Sequence, residues 1–256
     1  MRRNLTKAKL AEGQTVFGAI ISENAPGMVE LFGMLGYDFV MIDCEHGAMD
    51  LNQVEHMVRA AEGFDITPLA RIPDHAPSTV LRFLDRGVQG CIVPHVNTAS
   101  QAEAVARASR YAPEGNRSVA GGRPHDYNIG VTRAEGTRWI NEQTLVIPMI
   151  EDVEAVKNLD EILQVPGVDV LHCAAGDLGQ SMGDPGTEAV RRVMRDVVSR
   201  VHASGKYAGI GGNSPSDHEG VAELVGVGAR FVTIQAYGLL RLGAEKFRER
   251  VAASIK

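Results

Sequence analysis

A short apolar run followed at once by a polar turn stands near the amino terminus and reads Val16-Phe17-Gly18-Ala19-Ile20-Ile21-Ser22-Glu23-Asn24-Ala25. An apolar run of this length, placed before a helical pattern, is typical of a buried strand in a parallel sheet. The turn lacks the Gly-x-Gly-x-x-Gly fingerprint that a dinucleotide-binding sheet carries after its first strand. A doubly wound nucleotide-binding fold is therefore disfavoured.

Seven similar runs follow, each separated from the next by a longer stretch with helical periodicity. The eight predicted strands cover residues 16–21, 39–42, 67–70, 90–93, 144–150, 168–172, 207–210 and 230–234. The predicted helices cover 27–35, 51–62, 78–85, 99–110, 153–164, 187–202 and 216–225, and a last one runs from Tyr237 onward. Eight strand–helix units in 256 residues predict an α/β fold, a single (β/α)8 barrel with a parallel eight-stranded sheet over residues 1–256.

Composition excludes several classes of protein. With 44% hydrophobic and 23% charged residues, the chain is unlike disordered, collagen-like or coiled-coil sequences. A net charge of −6 and the absence of a basic stripe disfavour nucleic acid as a partner. The sequence contains no apolar run long enough for a signal-peptide core or a membrane span. Cys44, Cys91 and Cys173 are far apart, so we expect free thiols and a cytoplasmic protein.

The connection from Tyr111 to Gln143 is anomalously long for a loop and is rich in glycine and proline. It carries a local excess of basic side chains, namely Arg117, Arg123, His125, Arg133 and Arg138. Such an excess suits an anionic small molecule. A structural excursion that covers one end of the barrel or meets another subunit explains it equally well.

Polar side chains follow most of the predicted strands at the point where each strand ends. They are Asp43, Glu45, His46, Arg71, His95, Glu151, Asp152, Asp177, Asn213 and Gln235. The active site of a (β/α)8 barrel lies at the carboxyl ends of its strands. Because charged residues are almost never fully buried unless paired, packing alone does not explain this ring.

Glu151 and Asp177 follow neighbouring strands and predict two oxygen ligands for a hard divalent cation such as Mg²⁺ or Mn²⁺, with other positions left to water and substrate. Taken singly, each carboxylate is as well explained by a helix cap or an ion pair.

His46 is a candidate general base, because the pKa of histidine lies near working pH. Arg71 is a candidate donor to an oxyanion or a carboxylate. A loop histidine, and an ion pair of Arg71 with Glu45 or Glu151, are the structural alternatives. Asp43 and Glu45 are expected to lie next to His46 and Arg71 and to hold them in position.

None of the six lysines falls at the carboxyl end of a predicted strand, which disfavours a Schiff base and leaves carbonyl polarisation to a metal. The glycine-rich stretch 209–215 precedes a helix and suits a phosphate, although glycine-rich turns also simply reverse the chain.

One motif reads Tyr37-Asp38-Phe39-Val40-Met41-Ile42-Asp43-Cys44-Glu45-His46-Gly47, and it is accompanied by Arg71, Glu151 and Gly176-Asp177-Leu178-Gly179. In combination these segments resemble the HpcH/HpaI family of metal-dependent, class II pyruvate aldolases. Similar stretches are 84–87, 92–94 and 111–117, and the resemblance runs from about Phe17 to the last helix.

The resemblance implies a (β/α)8 barrel that cleaves 4-hydroxy-2-oxoacids to pyruvate and an aldehyde, and that runs the reverse aldol addition. By position, Glu151 and Asp177 would hold Mg²⁺, Mn²⁺ or Co²⁺, His46 would move a proton and Asp85 would pair with that histidine. Arg71 would stabilise the enolate, and the backbone N–H groups near Ala175 and Gly176 would hold the substrate carboxylate. The resemblance also implies a homo-hexamer in which the C-terminal helix, about 237–255, is exchanged between subunits.

The chain departs from the family pattern at substrate contacts. Met149 replaces a common glutamine two residues before Glu151, and the turn before Asp177 reads Ala174-Ala175-Gly176. Three alternatives remain open at this stage: a lyase acting on acyl-CoA thioesters, a phosphosugar isomerase or epimerase, and a non-catalytic barrel that serves as a binding protein.

Overall fold

The computed structural model describes residues 1–255 as a closed barrel in which eight parallel strands follow one another in chain order. The strands are β1 (Val16–Ile21), β2 (Phe39–Asp43), β3 (Thr67–Arg71), β4 (Gly90–Val93), β5 (Leu145–Ile150), β6 (Val170–Ala174), β7 (Tyr207–Gly211) and β8 (Ala229–Gln235). Pairing of β1 with β8, which aligns Gly18 with Thr233, closes the barrel. The predicted (β/α)8 fold is confirmed.

Twelve α-helices and one 3₁₀ helix accompany the strands in the described part of the chain. They are α1 (Leu5–Ala11), α2 (Pro26–Met34), α3 (Leu51–Gly63), α4 (Pro77–Leu84), α5 (Ala99–Ser109), the 3₁₀ helix (Arg123–Asn128), α6 (Arg133–Gln143), α7 (Val153–Lys157), α8 (Leu159–Leu163), α9 (Ala175–Ser181), α10 (Thr187–Ala203), α11 (His218–Val227) and α12 (Ala236–Ser254).

The side-chain period of two divides each strand between two hydrophobic cores. Residues that face outward pack under the helices, whereas Phe39, Met41, Leu69 and their equivalents fill the barrel interior. The rings of Phe39 and Phe231 stack inside the barrel with centroids 4.2 Å apart. Toward the amino-terminal ends of the strands, the barrel interior is thus a packed apolar core. The polar residues of the same inward-facing rows lie at the carboxyl ends of the strands.

Helix α1 closes the opposite, amino-terminal end of the barrel. Leu10 is 1% exposed and packs into the inner core. Thr6 Oγ1 donates to the carbonyl of Asp38 (3.0 Å), and Lys7 Nζ donates to the carbonyl of Thr144 (2.8 Å), both just before strands begin. With this end closed, the carboxyl ends of the strands remain as the open mouth.

The helices differ from the prediction at three places. The single helix expected over 153–164 is two short helices, because Asn158 ends α7 and begins α8. Helices α1 and α9 were not predicted, since each has only seven residues and so offers little periodicity to detect.

The long connection is also more ordered than expected. It contains α6, whose amino terminus carries a capping box between Thr132 and Glu135, a signal that the surrounding glycines and prolines obscured. Two of its basic side chains are already paired, because Arg117 Nη2 donates to Asp85 (2.8 Å) and Arg123 pairs with Glu62. The structure therefore favours the structural explanation of this segment over an anion site at these two arginines.

His172 is a buried titratable group inside the barrel. Its Nε2 lies 3.3 Å from Thr233 Oγ1, and its ring meets Phe231 edge-on. Burial, assisted by the charge of Arg71, lowers the pKa of His172 to about 3. In the unfolded chain the pKa of a histidine is about 6.5. Between pH 6.5 and 3, His172 is therefore protonated in the unfolded chain and neutral in the folded protein. The stabilisation by neutral His172 is present above about pH 6.5 and is lost as the pH falls toward 3.

We expect His172→Gln to make stability less sensitive to acid. Between pH 6.5 and 5, the wild type should lose about 1.6 kcal/mol of unfolding free energy more than the variant, because the slope approaches about 1.4 kcal/mol for each pH unit only below the pKa of the unfolded histidine. Urea unfolding at both pH values measures the difference, and His56→Gln on the exposed face of α3 is the control. Equal pH slopes for the wild type and His172→Gln would contradict the neutral, buried state of His172.

Candidate active site

The base of the mouth is a buried ion pair between neighbouring strands. Sheet register places Asp43 of β2 beside Arg71 of β3. Arg71 Nε and Nη2 donate to the two Asp43 oxygens, each at 2.9 Å, and Ser22 Oγ donates to Asp43 at 3.0 Å. Burial by itself would raise the pKa of Asp43, but the hydrogen bonds and charge of Arg71 hold it below its usual value. This bidentate pair fixes the guanidinium plane.

Glu45 lies close to three other polar side chains of the mouth. Its carboxylate lies 3.2 Å from Arg71 Nη1, 3.8 Å from His46 Nε2 and 3.9 Å from His95 Nε2. The His46 side chain is 63% exposed and faces the open mouth. The structure therefore places His46, Arg71, Asp43 and Glu45 close to one another.

Glu151 carries the most unusual environment in the mouth. It is 1% exposed, and its Oε1 accepts a hydrogen bond from the backbone N–H of His95 at 2.8 Å. Its buried Oε2 has no hydrogen-bond partner within residues 1–255. Burial, together with the nearby negative charges of Asp177 and Glu45, raises the pKa of Glu151 to about 7.

Asp177 approaches Glu151 from the first turn of α9. Two neighbouring carboxylates, one of which has a buried oxygen without a partner, are unfavourable unless a cation compensates their charge. Glu151 and Asp177 therefore fit a divalent metal. No group of three or more His, Cys, Asp or Glu side chains forms a closed metal cage in the part of the chain that the structure describes. Two protein ligands with open positions suit Mg²⁺ or Mn²⁺, which keep waters and bind substrate directly.

The glycine-rich stretch is explained by steric needs of the site. A Cβ on Gly209 would lie 2.7 Å from His172 Nδ1, and a Cβ on Gly211 would lie 2.3 Å from Thr233 Oγ1. Gly212 has a φ of +76°, and a Cβ there would lie 3.0 Å from the backbone N of Gly176. These glycines thus make room for His172 and for the amino end of α9, where Ala175 and Gly176 were expected to bind a carboxylate.

Met149 lies below the mouth. It is 1% exposed and packs in the inner core, two residues before Glu151 on the same inward row. Its side chain forms part of the floor of the mouth. The structure therefore shows Met149 as a packing residue of the inner core, and its expected contact with substrate stays a prediction.

The expected pairing of Asp85 with His46 is not formed within one chain. Asp85 directly follows α4, which returns from the mouth to the amino-terminal end of the barrel before β4 begins. Its carboxylate accepts from Arg117 at 2.8 Å. The pairing was expected from the resemblance alone, which did not show that α4 carries Asp85 to the other end of this chain.

His95 and Asp152 belong to the site, although the sequence did not assign them a role. His95 has a φ of +53°, an uncommon conformation for a residue other than glycine. His95 Nδ1 lies 3.0 Å from Asp152 Oδ2. The position of both residues directly after a strand was the available sequence signal.

The fold and the acidic, arginine-based mouth define a barrel enzyme, and comparisons with known proteins identify its family. The model of the HpcH/HpaI aldolase/citrate lyase family matches residues 17–238. The chain belongs to this family, as the resemblance of the sequence motifs predicted.

The curated relatives are similar over nearly the whole chain. A 4-hydroxy-2-oxovalerate aldolase from Novosphingobium aromaticivorans is 33% identical and covers 98% of this chain and 97% of its own length. A hydroxypyruvate/pyruvate aldolase from Roseobacter denitrificans is also 33% identical, with 90% of each chain covered. A 2-keto-3-deoxy-L-rhamnonate aldolase from Shigella sonnei is 30% identical, covering 90% of this chain and 86% of the relative.

Solved structures agree with this assignment. The crystal structure of an HpcH/HpaI aldolase/citrate lyase family protein from Burkholderia cenocepacia superposes with a TM-score of 0.88 at 26% identity, covering 97% and 99% of the two chains. That of the citrate synthase SbnG gives 0.84 at 32% identity, covering 97% and 98%. The aldolase relatives support a carbon–carbon lyase over the isomerase and non-catalytic alternatives.

Proposed function

We propose that this protein is a metal-dependent aldolase that cleaves 4-hydroxy-2-oxoacids to pyruvate and an aldehyde, and that catalyses the reverse addition. The observation that carries the proposal is Glu151, whose buried Oε2 lacks a partner within residues 1–255 and stands near Asp177. The substrate class is supported by the aldolases at 30–33% identity.

Glu151 and Asp177 would hold the divalent ion, Mg²⁺, Mn²⁺ or Co²⁺. When bound, the ion supplies Lewis-acid polarisation of the 2-oxo group. The hydrogen bond from the His95 backbone holds Glu151 Oε1 in place, so that Oε2 is the oxygen left to the metal.

Arg71 and His46 would carry the charge and the proton of the cleavage. The proton of the C4 hydroxyl moves to His46, and the electron pair of that O–H bond forms the C=O of the aldehyde. The C3–C4 bond breaks, and its electron pair goes to the pyruvate half to form the enolate. Asp43 fixes the orientation of the Arg71 guanidinium. Arg71 then donates to the enolate oxygen, which becomes negative as the C3–C4 bond breaks. A proton delivered to C3 then completes pyruvate.

The amino end of α9 would hold the substrate carboxylate. Its cap residue, Ala174, provides no side-chain hydrogen bond, so the first backbone N–H groups, at Ala175 and Gly176, are suited to an anion. Gly212 keeps the approach to these groups open.

Exchange of the methyl protons of pyruvate in D₂O tests the proposal without knowledge of the aldehyde. NMR should show exchange with Mn²⁺ or Mg²⁺ and loss of exchange with a chelator. The absence of exchange with Mg²⁺, Mn²⁺ and Co²⁺ would refute the pyruvate aldolase and favour the thioester lyase.

We further propose a homo-oligomer, a hexamer in the family pattern, in which α12 is exchanged between subunits of an otherwise single-domain chain. Only Ala236 is buried in this 19-residue helix. Leu240, Phe247 and Val251 form an exposed stripe at helical spacing. Phe17, Leu31 and Met34 leave an exposed apolar surface on β1 and α2, where a helix from another subunit could pack.

Leu240→Asp combined with Phe247→Asp is expected to weaken self-association by at least about 10²-fold, because two apolar anchors are replaced by charges that an interface must desolvate. Sedimentation velocity over a concentration series measures the effect. Lys246→Asp, exposed and off the stripe, is the control. An unchanged oligomer in the double variant would contradict the exchange of α12.

We propose that the protein is located in the cytoplasm. All three cysteines are free and buried, which suits the reducing cytoplasm. None of the helices in residues 1–255 is long and apolar enough to cross a membrane.

A further inference from the structure

His95 occupies the mouth in a way that the proposed cleavage does not use. With a φ of +53°, its backbone N–H donates to Glu151 and its imidazole lies beside Asp152. Such conformations outside glycine persist where surrounding contacts determine them, and they concentrate at functional sites.

The imidazole is anchored on one edge only. A carboxylate can only accept, so Nδ1 carries the hydrogen that is shared with Asp152 at 3.0 Å. On the other edge, Nε2 lies 3.9 Å from the nearest Glu45 oxygen, too far for a hydrogen bond. The side chain is 58% exposed, and its Nε2 makes no hydrogen bond to any other described residue. This edge is open to a ligand.

Nε2 also lies beside the reacting groups. Arg71 Nη1 and His95 Nε2 contact the same Glu45 carboxylate at 3.2 and 3.9 Å, and His46 Nε2 lies 3.8 Å from it. We place the C4 oxygen of the substrate at Arg71 and His46, and its next carbon, C5, on the side of the mouth where His95 lies.

We propose that His95 selects acceptor aldehydes that carry a hydroxyl group on the carbon next to the aldehyde, so that the cleaved substrates are 4,5-dihydroxy-2-oxoacids. This inference rests on the proposed aldolase function. A hydroxyl group can donate to Nε2 or accept from it, whereas the methyl group of an alkyl aldehyde can do neither. His95 is a specificity residue for the acceptor half of the reaction.

The test is a competition between glycolaldehyde and acetaldehyde, two acceptors with the same number of carbons, for pyruvate and one enzyme preparation with Mn²⁺. The product ratio, corrected for free aldehyde, reports the ratio of kcat/KM values, and effects on the pyruvate half cancel. The wild type should favour glycolaldehyde. His95→Gly should lower this preference roughly three- to tenfold, as expected for one hydrogen bond.

Glycine suits the φ of +53° and keeps the N–H that donates to Glu151. His95→Asn, which also tolerates this conformation but is too short to reach the same point, serves if the glycine variant fails to fold. His75→Ala removes another exposed imidazole, from the loop after β3, and should leave the ratio unchanged.

A wild-type ratio near one, or the same ratio in the wild type and His95→Gly, would overturn the role of His95. So would pyruvate exchange without product from either aldehyde. Failure of the proposed function gives a different result, because the wild type would then show no metal-dependent exchange of pyruvate methyl protons.

Discussion

Replacing Arg71 by alanine is expected to lower the turnover of aldol cleavage roughly 10²- to 10³-fold, the usual cost of losing one donor to a developing oxyanion. Arg71 is 6% exposed. Its Nε donates to Asp43 at 2.9 Å, and its Nη1 lies 3.2 Å from Glu45. It therefore enters the reaction already oriented, with little reorganisation left for the transition state.

The same substitution should destabilise the fold. Removing Arg71 leaves the carboxylate of Asp43, which is 1% exposed, buried without its cation, at a cost of roughly 3–5 kcal/mol. Arg71→Lys should fold better, because it keeps the charge. It should still lose turnover, because a point charge cannot span both Asp43 oxygens.

Arg110→Ala separates the two effects. Arg110 is equally buried and pairs with Asp169 at 2.8 Å, just before β6 and thus at the closed end of the barrel. It should lose comparable stability but retain turnover in the folded fraction. Steady-state kinetics together with urea unfolding make the comparison. Near-normal turnover in Arg71→Ala, or an equal loss of turnover in Arg110→Ala, would refute the catalytic assignment of Arg71.

Replacing Glu151 by glutamine is expected to lower the rate of metal-dependent pyruvate exchange by at least about 10²-fold. Relative to the wild type, the variant is expected to be at least as stable without metal and less stable with metal. Glutamine keeps the shape and an oxygen that can accept from the His95 N–H. It removes the negative charge that the proposed metal requires.

Without metal, Glu151→Gln should be at least as stable as the wild type, because a buried carboxylate with an unpartnered Oε2 becomes a neutral amide. With Mn²⁺ at about 100 times its Kd, the wild type should gain about 2.7 kcal/mol. The variant should gain almost none.

Thermal unfolding with chelator and with Mn²⁺ measures both differences. Glu154→Gln, an exposed glutamate in the first turn of α7, is the matched control and should respond to metal like the wild type. An Mn²⁺-dependent stabilisation retained in Glu151→Gln would place the metal elsewhere.

The sequence alone determined the barrel and the ring of residues at its mouth. Eight apolar runs separated by helical patterns leave few topologies open, and a parallel barrel brings every strand end to the same face. The structure confirms the barrel. It places His46, Arg71, Glu151 and Asp177 at or just after the ends of strands, and their roles stay predictions.

Only the tertiary structure decided which of these groups touch. Arg71 could pair with Glu45 or Glu151 by sequence, but the register of β2 and β3 sets it against Asp43. Asp85 was expected beside His46, yet α4 carries it to the closed end, where it meets Arg117. Partner choice depends on distances of a few ångströms between residues far apart in sequence, and a one-dimensional pattern contains no such distances. For the same reason the left-handed turn at His95 and the unpartnered oxygen of Glu151 could be seen only once the chain was folded.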